Sequence, residues 1–323
     1  MRSRATRRRR AGGVTALALL ALAIGAAPAE AKRDMRCNGA ALLCTRHFDR
    51  VVLPGAHNAM SAADLGWKIP NQSVAIPEQL ETGIRALLID THYGRLQPDG
   101  TVKTDDNGRV TEGERGLYLC HEVCEIGATP LVPALRQIRK FVRKRPNNVL
   151  AIIVEPKVTA DDFASAVTES GLIDYVYDGP FGPWPTLRKM IRTHQQVVVL
   201  AERDAGTTYP WYQNAYDGIL QETPYTFGHA SELTDPANWP ATCAPNRGDS
   251  VGSLFLMNHW SPPTPPAQTD FANEEAVNAK DVILGRAREC EALRGRLPSI
   301  IAVDQFAIGG LFAAVKELNG VRR

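Results

Sequence analysis

A histidine and an asparagine follow the first apolar run of the chain, and both side chains could do chemistry. Residues 51–53 are apolar, a Pro-Gly pair interrupts the run, and His57 and Asn58 follow almost at once. An imidazole can accept or donate a proton near neutral pH. An amide oxygen beside it can bind a hard cation. One such pair would be unremarkable alone, so the ends of the other apolar runs matter.

Polar or ionisable side chains end six further apolar runs. In chain order they are Asp90 and His92, His121, Glu155, Glu202, Asn258 and His259, and Asp304. Two histidines with neighbouring carboxylates suit a proton-transfer pair, because the carboxylates help to hold the two imidazoles in opposite charge states. Asn58, Asp90 and Glu155 form an oxygen set typical of Ca²⁺ or Mg²⁺ sites. A cation there would neutralise charge that develops on a phosphoryl group, so the residues favour phosphodiester chemistry over zinc-dependent hydrolysis.

Eight short apolar runs alternate with helical patterns. The predicted strands are residues 50–53, 85–90, 116–121, 149–155, 196–202, 218–221, 253–259 and 298–304, and the predicted helices are 77–82, 130–144, 185–193, 273–293 and 310–318. Continuous apolar strands separated by helices indicate a parallel sheet buried on both faces. We therefore predict an α/β fold, a TIM-type (β/α)₈ barrel with allowance for irregular or incomplete closure, whose strand ends converge on one face. A doubly wound open sheet is the runner-up, although no glycine-rich nucleotide motif supports it.

Three segments lie between these elements. Residues 94–115 and 204–216 are predicted as long polar loops, and the proline-rich residues 262–266 as a stiff connector.

The first 31 residues have the pattern of a secretory signal peptide. Arginines at 7–10 precede an apolar stretch at 14–27 and a small-residue cleavage site at 29–31. An uncleaved N-terminal anchor is the alternative, and the paired arginines would also suit a twin-arginine route. Removal of this segment takes away six Arg and one Glu and leaves 31 basic against 34 acidic residues. We therefore predict a secreted or extracytoplasmic domain over residues 32–323, with no nucleic-acid partner on bulk charge.

All six cysteines follow the signal segment. An even number in an exported chain indicates disulfides, and six cysteines allow 15 pairings. Proximity in the sequence favours Cys37–Cys44, Cys120–Cys124 and Cys243–Cys290. A zinc site is the alternative, but the spacings do not form the usual paired C-x-x-C units.

The strand-end motifs resemble those of phosphatidylinositol-specific phospholipase C X-domain proteins, in particular the exported single-domain branch of bacteria and plants. The matching segments are LPGAHN at 53–58, GIRALLIDTH at 83–92, LCH at 119–121, IIVE at 152–155 and IAVD at 301–304. Their order and spacing fit from about residue 48 to 320. The resemblance implies a TIM-type barrel and cleavage of a phosphodiester by an internal hydroxyl, which gives a cyclic inositol phosphate first.

The resemblance also implies roles for individual residues. His57 would be the general base on the inositol 2-hydroxyl, His121 the general acid for the diacylglycerol oxygen, and Asp304 the acid that orients a catalytic histidine. His92 completes the catalytic candidates. Asn58, Asp90 and Glu155 match the calcium ligands of the metal-dependent members.

The sequence departs from both branches of the family. Metal-independent bacterial members carry Asp and Arg where this chain has Asn58 and His92, which favours calcium here. Metal-dependent members carry a further acid where this chain has Leu88, so calcium would have one carboxylate fewer.

The leading hypothesis is thus a monomeric, secreted, phospholipase C-type phosphodiesterase that contacts a membrane surface transiently to reach a phospholipid or another phosphodiester. One alternative is a glycerophosphodiester phosphodiesterase, although the His-Arg and Glu-x-Asp pairs of that family are absent. The other is a non-catalytic barrel that binds a lipid or a sugar through the aromatic residues at 209–212 and 259–260.

Overall fold

The computed structural model describes residues 35–248, 251–261 and 271–321. The predicted signal segment at 1–31 and the proline-rich connector at 262–266 lie outside the described residues, so the domain boundary at residue 32 stays a prediction. The strands in the described ranges are β1 Leu53–Ala56, β2 Ala86–Leu96, β3 Val102–Thr104, β4 Glu114–Leu119, β5 Thr129–Pro130, β6 Leu150–Pro156, β7 Val197–Ala201, β8 Gln213–Asn214, β9 Leu220–Glu222, β10 Leu254–Asn258 and β11 Ile300–Val303. The α-helices there are α1 Ile76–Thr82, α2 Leu131–Lys144, α3 Ala160–Ser170, α4 Leu187–Arg192, α5 Ser231–Thr234, α6 Trp239–Thr242, α7 Phe271–Val277, α8 Lys280–Arg294 and α9 Leu311–Leu318.

Eight parallel strands form one curled sheet with helices around it. Their order is β8-β7-β6-β2-β1-β11-β10-β9, which is the strand path of a (β/α)₈ barrel. The two end strands, β8 and β9, share no strand ladder in the described chain, although the Leu220 amide donates to the Ala215 carbonyl at 2.7 Å. The predicted TIM-type fold with incomplete closure is therefore confirmed.

The third predicted strand, residues 116–121, is not a barrel strand. β2 continues past the barrel rim to Leu96, and β4 returns antiparallel to it, with Thr91 opposite Leu119 and Leu96 opposite Glu114. A parallel partner would need a crossover long enough to hold a helix, but the intervening residues hold only β3, which pairs with β2. The segment 94–115, predicted as a polar loop, therefore lies largely in an antiparallel extension above the barrel. This extension consists of the end of β2 with β3 and β4 and is called the hairpin below.

The eighth barrel strand comes from a segment predicted as a loop. β8 lies within residues 204–216 and pairs with β7 through Gln213 and Asn214. It is only two residues long and polar, so periodicity could not reveal it. The predicted helix at 273–293 is two helices, α7 and α8, and α3 was not predicted.

The three disulfides pair cysteines as proximity favoured. Cys37–Cys44, Cys120–Cys124 and Cys243–Cys290 are all closed, with sequence separations of 7, 4 and 47 residues. This pairing excludes the zinc alternative for these thiols. In the portion of the chain that the structure describes, no helix has the length and apolar character needed to cross a membrane.

Candidate active site

The strand ends on one face of the barrel enclose a pocket of about 690 Å³. Six of the seven predicted site residues line it: His57, Asn58, Asp90, His121, Glu155 and Asp304. These side chains are far apart in the sequence and meet because parallel strands deliver their carboxyl ends to the same rim.

His57 is held from two directions. β1 approaches β11 closely at Gly55, where a Cβ would lie 3.1 Å from the Ile300 side chain, and this seats His57 just beyond the strand. The His57 Nδ1 lies 2.8 Å from a carboxylate oxygen of Asp304. The indole of Trp260 stacks on the imidazole with ring centroids 3.7 Å apart and planes 3° apart. With Nδ1 donating to Asp304, Nε2 is the basic nitrogen that can take a proton.

A loop that the sequence analysis overlooked supports this pair. The Asn71 side-chain amide donates to the second oxygen of Asp304 at 3.0 Å. The Gln72 side-chain amide donates to the carbonyls of His57 and Val303 at 2.7 and 3.0 Å. Gln72 is buried. These two amides follow no strand, so no positional signal marked them.

His121 reaches the pocket from the hairpin rather than from a barrel strand. It follows β4 inside the Cys120–Cys124 disulfide, and its ring centroid lies 6.5 Å from that of His57. Burial lowers the pKa of His121, and the proximity of His57 lowers it further, against opposing carboxylates. The Nδ1 of His121 is buried and has no hydrogen-bond partner in the described chain. The two histidines therefore share one pocket but differ in how they are held.

The three predicted cation ligands also meet in the pocket. Asp90 on β2 lies directly opposite Glu155 on β6, and Asn58 follows β1 next door. Burial raises the pKa of Asp90 well above its usual range, and the charges of Glu155 and Glu202 raise it further.

Glu155 already has two cationic partners. Its carboxylate accepts from Lys157 at 2.9 Å and from Arg203 at 3.2 Å. Burial acts to raise the pKa of Glu155, but these two cations outweigh it and the pKa is lowered. Throughout the described residues, no group of three or more His, Cys, Asp and Glu is arranged to hold a metal ion. The expected trio contains only two such side chains, with Asn58 as the third.

The far wall of the pocket is an ion-pair network. Arg247 donates to Glu202 at 2.6 and 3.1 Å and to Glu222 at 2.6 and 3.1 Å. Its guanidinium lies over the rings of Tyr216 and Tyr225. Glu202 is one of the polar strand ends marked by the sequence, whereas Glu222 and Arg247 were not predicted. A single arginine in a polar loop belongs to no sequence pattern that would identify its ion-pair partners.

Two of the other predicted strand-end histidines lie outside the pocket lining. His92 is almost fully buried in the hairpin, with its Nδ1 2.8 Å from Asp106. His259 is buried with its ring nitrogens next to the Val277 carbonyl and Arg286. Burial lowers the pKa of His259 to about 3, and the positive charge of Arg286 contributes. Both histidines therefore contact neighbouring groups away from the pocket, and a catalytic role for His92 stays a prediction.

The two aromatic segments proposed for a non-catalytic binding barrel also differ in whether they reach the pocket. Trp211 and Tyr212 are buried and pack against Phe163. Trp260 lines the pocket against His57. The rings of Trp211 and Tyr212, within the segment 209–212, are therefore not available as a binding surface.

Comparison with known proteins agrees with this architecture. The PI-PLC X 1 family matches residues 43–319. The chain is 26% identical to PI-PLC X domain-containing protein 1 of Arthroderma benhamiae over 325 aligned residues, which cover 95% of this chain and 96% of that protein. It is 25% identical over 280 residues to a PI-PLC X domain-containing protein of Arabidopsis thaliana, covering 77% of this chain but 55% of the plant protein, so it spans about half the length of that relative.

Solved structures share the fold at low sequence identity. A phosphatidylinositol-specific phospholipase C from Listeria monocytogenes superposes with a TM-score of 0.50 at 18% identity, over 87% of this chain and 96% of that one. A Staphylococcus aureus phosphatidylinositol-specific phospholipase C gives 0.53 at 14% identity, over 87% and 95%. With a match that runs from residue 43 to residue 319, the chain belongs to the PI-PLC X 1 family.

Proposed function

We propose that the protein is an exported phosphodiesterase of phospholipase C type that cleaves a phosphoinositide or a related phosphodiester. The observation that carries this proposal is the placement of His57 and His121 across one pocket, with His57 fixed by Asp304. Two histidines at this separation can act on the two oxygens that flank one phosphorus atom.

The chemistry follows from these positions. His57 Nε2 takes the proton of a substrate hydroxyl, whose oxygen forms a bond to phosphorus. The bond between phosphorus and the leaving alcohol oxygen breaks, and protonated His121 supplies the proton that this oxygen needs. The product is a cyclic phosphodiester and a free alcohol. Asp304 stabilises the imidazolium that forms on His57.

We further propose that Asn58, Asp90 and Glu155 hold a calcium ion. The support is chemical: all three offer oxygen atoms, and Asp90 is a buried carboxylate whose pKa is raised by its burial and by the neighbouring charges of Glu155 and Glu202. When bound, calcium would neutralise negative charge on the phosphoryl oxygens. Lys157 and Arg203 compete for Glu155, so moderate affinity is expected.

Export and contact with lipid are parts of the same proposal. Three closed disulfides fit an oxidising environment outside the cytoplasm. Tyr225 lines the pocket and is 43% exposed, and Val123, two residues from His121, is 41% exposed, so both can contribute apolar surface to contact with lipid.

The experiment is direct. The purified protein is incubated with phosphatidylinositol, lysophospholipids and glycerophosphodiesters, with calcium or with chelator, and products are followed by phosphorus NMR. We expect a cyclic phosphate from phosphatidylinositol. If no phosphodiester is turned over, the proposed enzymatic activity is refuted and a non-catalytic binding barrel remains. If turnover is unchanged by the chelator, only the calcium site is refuted.

A further inference from the structure

The segment that carries His121 is a short loop closed by a disulfide. Cys120 and Cys124 are both buried, and their bond joins positions four residues apart on either side of His121. Inside this loop the Val123 amide donates to the His121 carbonyl at 2.6 Å. Glu122 has a φ of 60°, a left-handed conformation that is uncommon for a residue with a side chain. The loop is therefore tightly constrained by its own backbone.

Both ends of the loop are also attached to neighbouring strands. The Cys120 amide donates to the carbonyl of Asp90 at 3.3 Å, which ties the loop to β2 beside the proposed cation site. The Cys124 amide donates to the Thr104 hydroxyl at 2.7 Å, just where β3 ends. The disulfide thus connects two anchored positions of the backbone, and His121 lies between them in the sequence.

The imidazole of His121 has no comparable anchor of its own. Its Nδ1 is buried without a hydrogen-bond partner in the described chain, whereas the corresponding nitrogen of His57 faces Asp304. Among the described residues, no carboxylate forms a hydrogen bond with His121 Nδ1, so we infer that the backbone of its loop sets the position of the ring.

We propose that the Cys120–Cys124 disulfide is a positioning element for the general acid, and that it acts on catalysis through His121 rather than only through stability. This inference rests on the proposed function. A displacement of about 1 Å in a catalytic group can cost up to roughly 10²-fold in rate. Loss of the disulfide should therefore remove the proton donor while leaving His57 in place.

The chain offers a matched control. The Cys37–Cys44 disulfide also joins two buried cysteines across a short loop, but no residue of 37–44 lines the pocket, whereas the loop closed by Cys120–Cys124 supplies His121 to it. The Asn38 side-chain amide donates to the carbonyl of Val149, just before β6 begins. Loop-closure entropy rises with loop length. Removal of Cys37–Cys44 should therefore cost at least as much stability as removal of Cys120–Cys124.

The experiment compares C120S/C124S with C37S/C44S on two substrates. Phosphatidylinositol releases an alcohol that needs a proton, whereas an inositol 4-nitrophenyl phosphodiester releases a phenolate that does not. We expect C120S/C124S to lower kcat on phosphatidylinositol by about 10- to 100-fold and to change the aryl substrate by less than about threefold. C37S/C44S should stay within about threefold on both substrates.

A comparison with His121→Ala tests whether the effect passes through the acid. H121A should show the same dependence on the leaving group, and adding C120S/C124S to it should cost nothing further, because coupled sites are not additive. Equal losses on both substrates, unchanged turnover of phosphatidylinositol, or additive losses would overturn the inference.

Two safeguards separate the possible failures. If the serine pair does not fold, C120A/C124A replaces it, because alanine leaves no polar atom in the buried site. The ring signals of His121 in NMR spectra should shift in the disulfide variant and not in C37S/C44S, and unchanged signals would count against the proposal. A wild-type protein inactive on both substrates would overturn the proposed function itself, and this inference with it.

Discussion

The two halves of the pocket position their histidines by different means. His57 belongs to the barrel, where Asp304 bonds its ring nitrogen and Trp260 covers its face. His121 belongs to the hairpin above the rim, where a disulfide fixes the backbone and the ring nitrogen Nδ1 has no partner in the described chain. The difference suits the two proposed roles. A base that becomes a cation benefits from a carboxylate, whereas an acid must lose its proton readily, and burial already lowers the pKa of His121.

The largest effect is expected at the base. His57→Ala should lower kcat/KM by roughly 10³-fold or more on both alkyl and aryl substrates, because the attacking hydroxyl needs a base whatever group leaves. Steady-state kinetics on both substrates measure this, and the exposed His229→Ala is the matched control. A variant that lost activity on only one substrate would show that the roles of His57 and His121 are assigned wrongly.

A smaller loss is expected when the carboxylate support is removed. Asp304→Asn should lower kcat by roughly 10²-fold, because an amide can donate to Nδ1 and favour the wrong tautomer of His57. The pH dependence of kcat distinguishes this from a folding defect, which thermal denaturation would reveal. An unchanged kcat would mean that Trp260 alone is enough to orient the ring.

Asp90 should link stability to calcium. Its raised pKa means that the carboxyl group favours the folded state only when protonated, so this stability is present at low pH and is lost as pH rises above the usual carboxyl value of about 3.9. Asp90→Asn should therefore raise the Tm of the calcium-free protein at neutral pH, with the gain fading towards pH 4. Calcium should raise the Tm of the wild type and leave D90N unchanged. Equal responses of both proteins to calcium would place the ion elsewhere.

Burial of His259 should make the stability of the folded protein sensitive to acid. Because its folded pKa of about 3 lies below the unfolded value of about 6.5, stability is fully present above pH 6.5 and declines as pH falls towards 3. His259→Gln should lower the Tm at pH 7, since it disturbs the contact with Arg286, but should flatten the fall of Tm on acidification. Thermal denaturation across this range gives the slope, and a slope equal to that of the wild type would contradict the assignment.

The smallest effect on activity is expected at His92. His92→Asn should leave kcat within about threefold, because the side chain lies outside the pocket lining and pairs with Asp106 in the hairpin. A loss of stability of about 1 kcal/mol is expected from the broken contact. A fall in kcat comparable to that of H121A would restore His92 to the catalytic set.

Most of the barrel and most of the site could be predicted from the sequence. Residues such as Asp90, Glu155 and Asp304 directly follow or end apolar runs, and the runs themselves mark buried parallel strands. The misplaced strand at 116–121 shows the limit, since an apolar run does not reveal whether its partner is parallel or antiparallel. His92 lies outside the pocket lining for the same reason, because β2 continues beyond the rim and pairs there with β4.

What the sequence alone determined is seven of the eight barrel strands, the polar strand ends and the family motifs, which depend on short-range spacing or on motif order, together with the cysteine pairs, which follow the order of the cysteines in the chain. Tertiary structure decided which side chains meet. Trp260 stacks on His57, Arg247 joins Glu202 to Glu222, and His121 enters from a disulfide-closed hairpin. Such contacts join positions up to 247 residues apart, as between His57 and Asp304. Pairing of strands remote in the sequence, as of β1 with β11, brings such side chains within hydrogen-bonding distance, and no local preference encodes a partner so far along the chain.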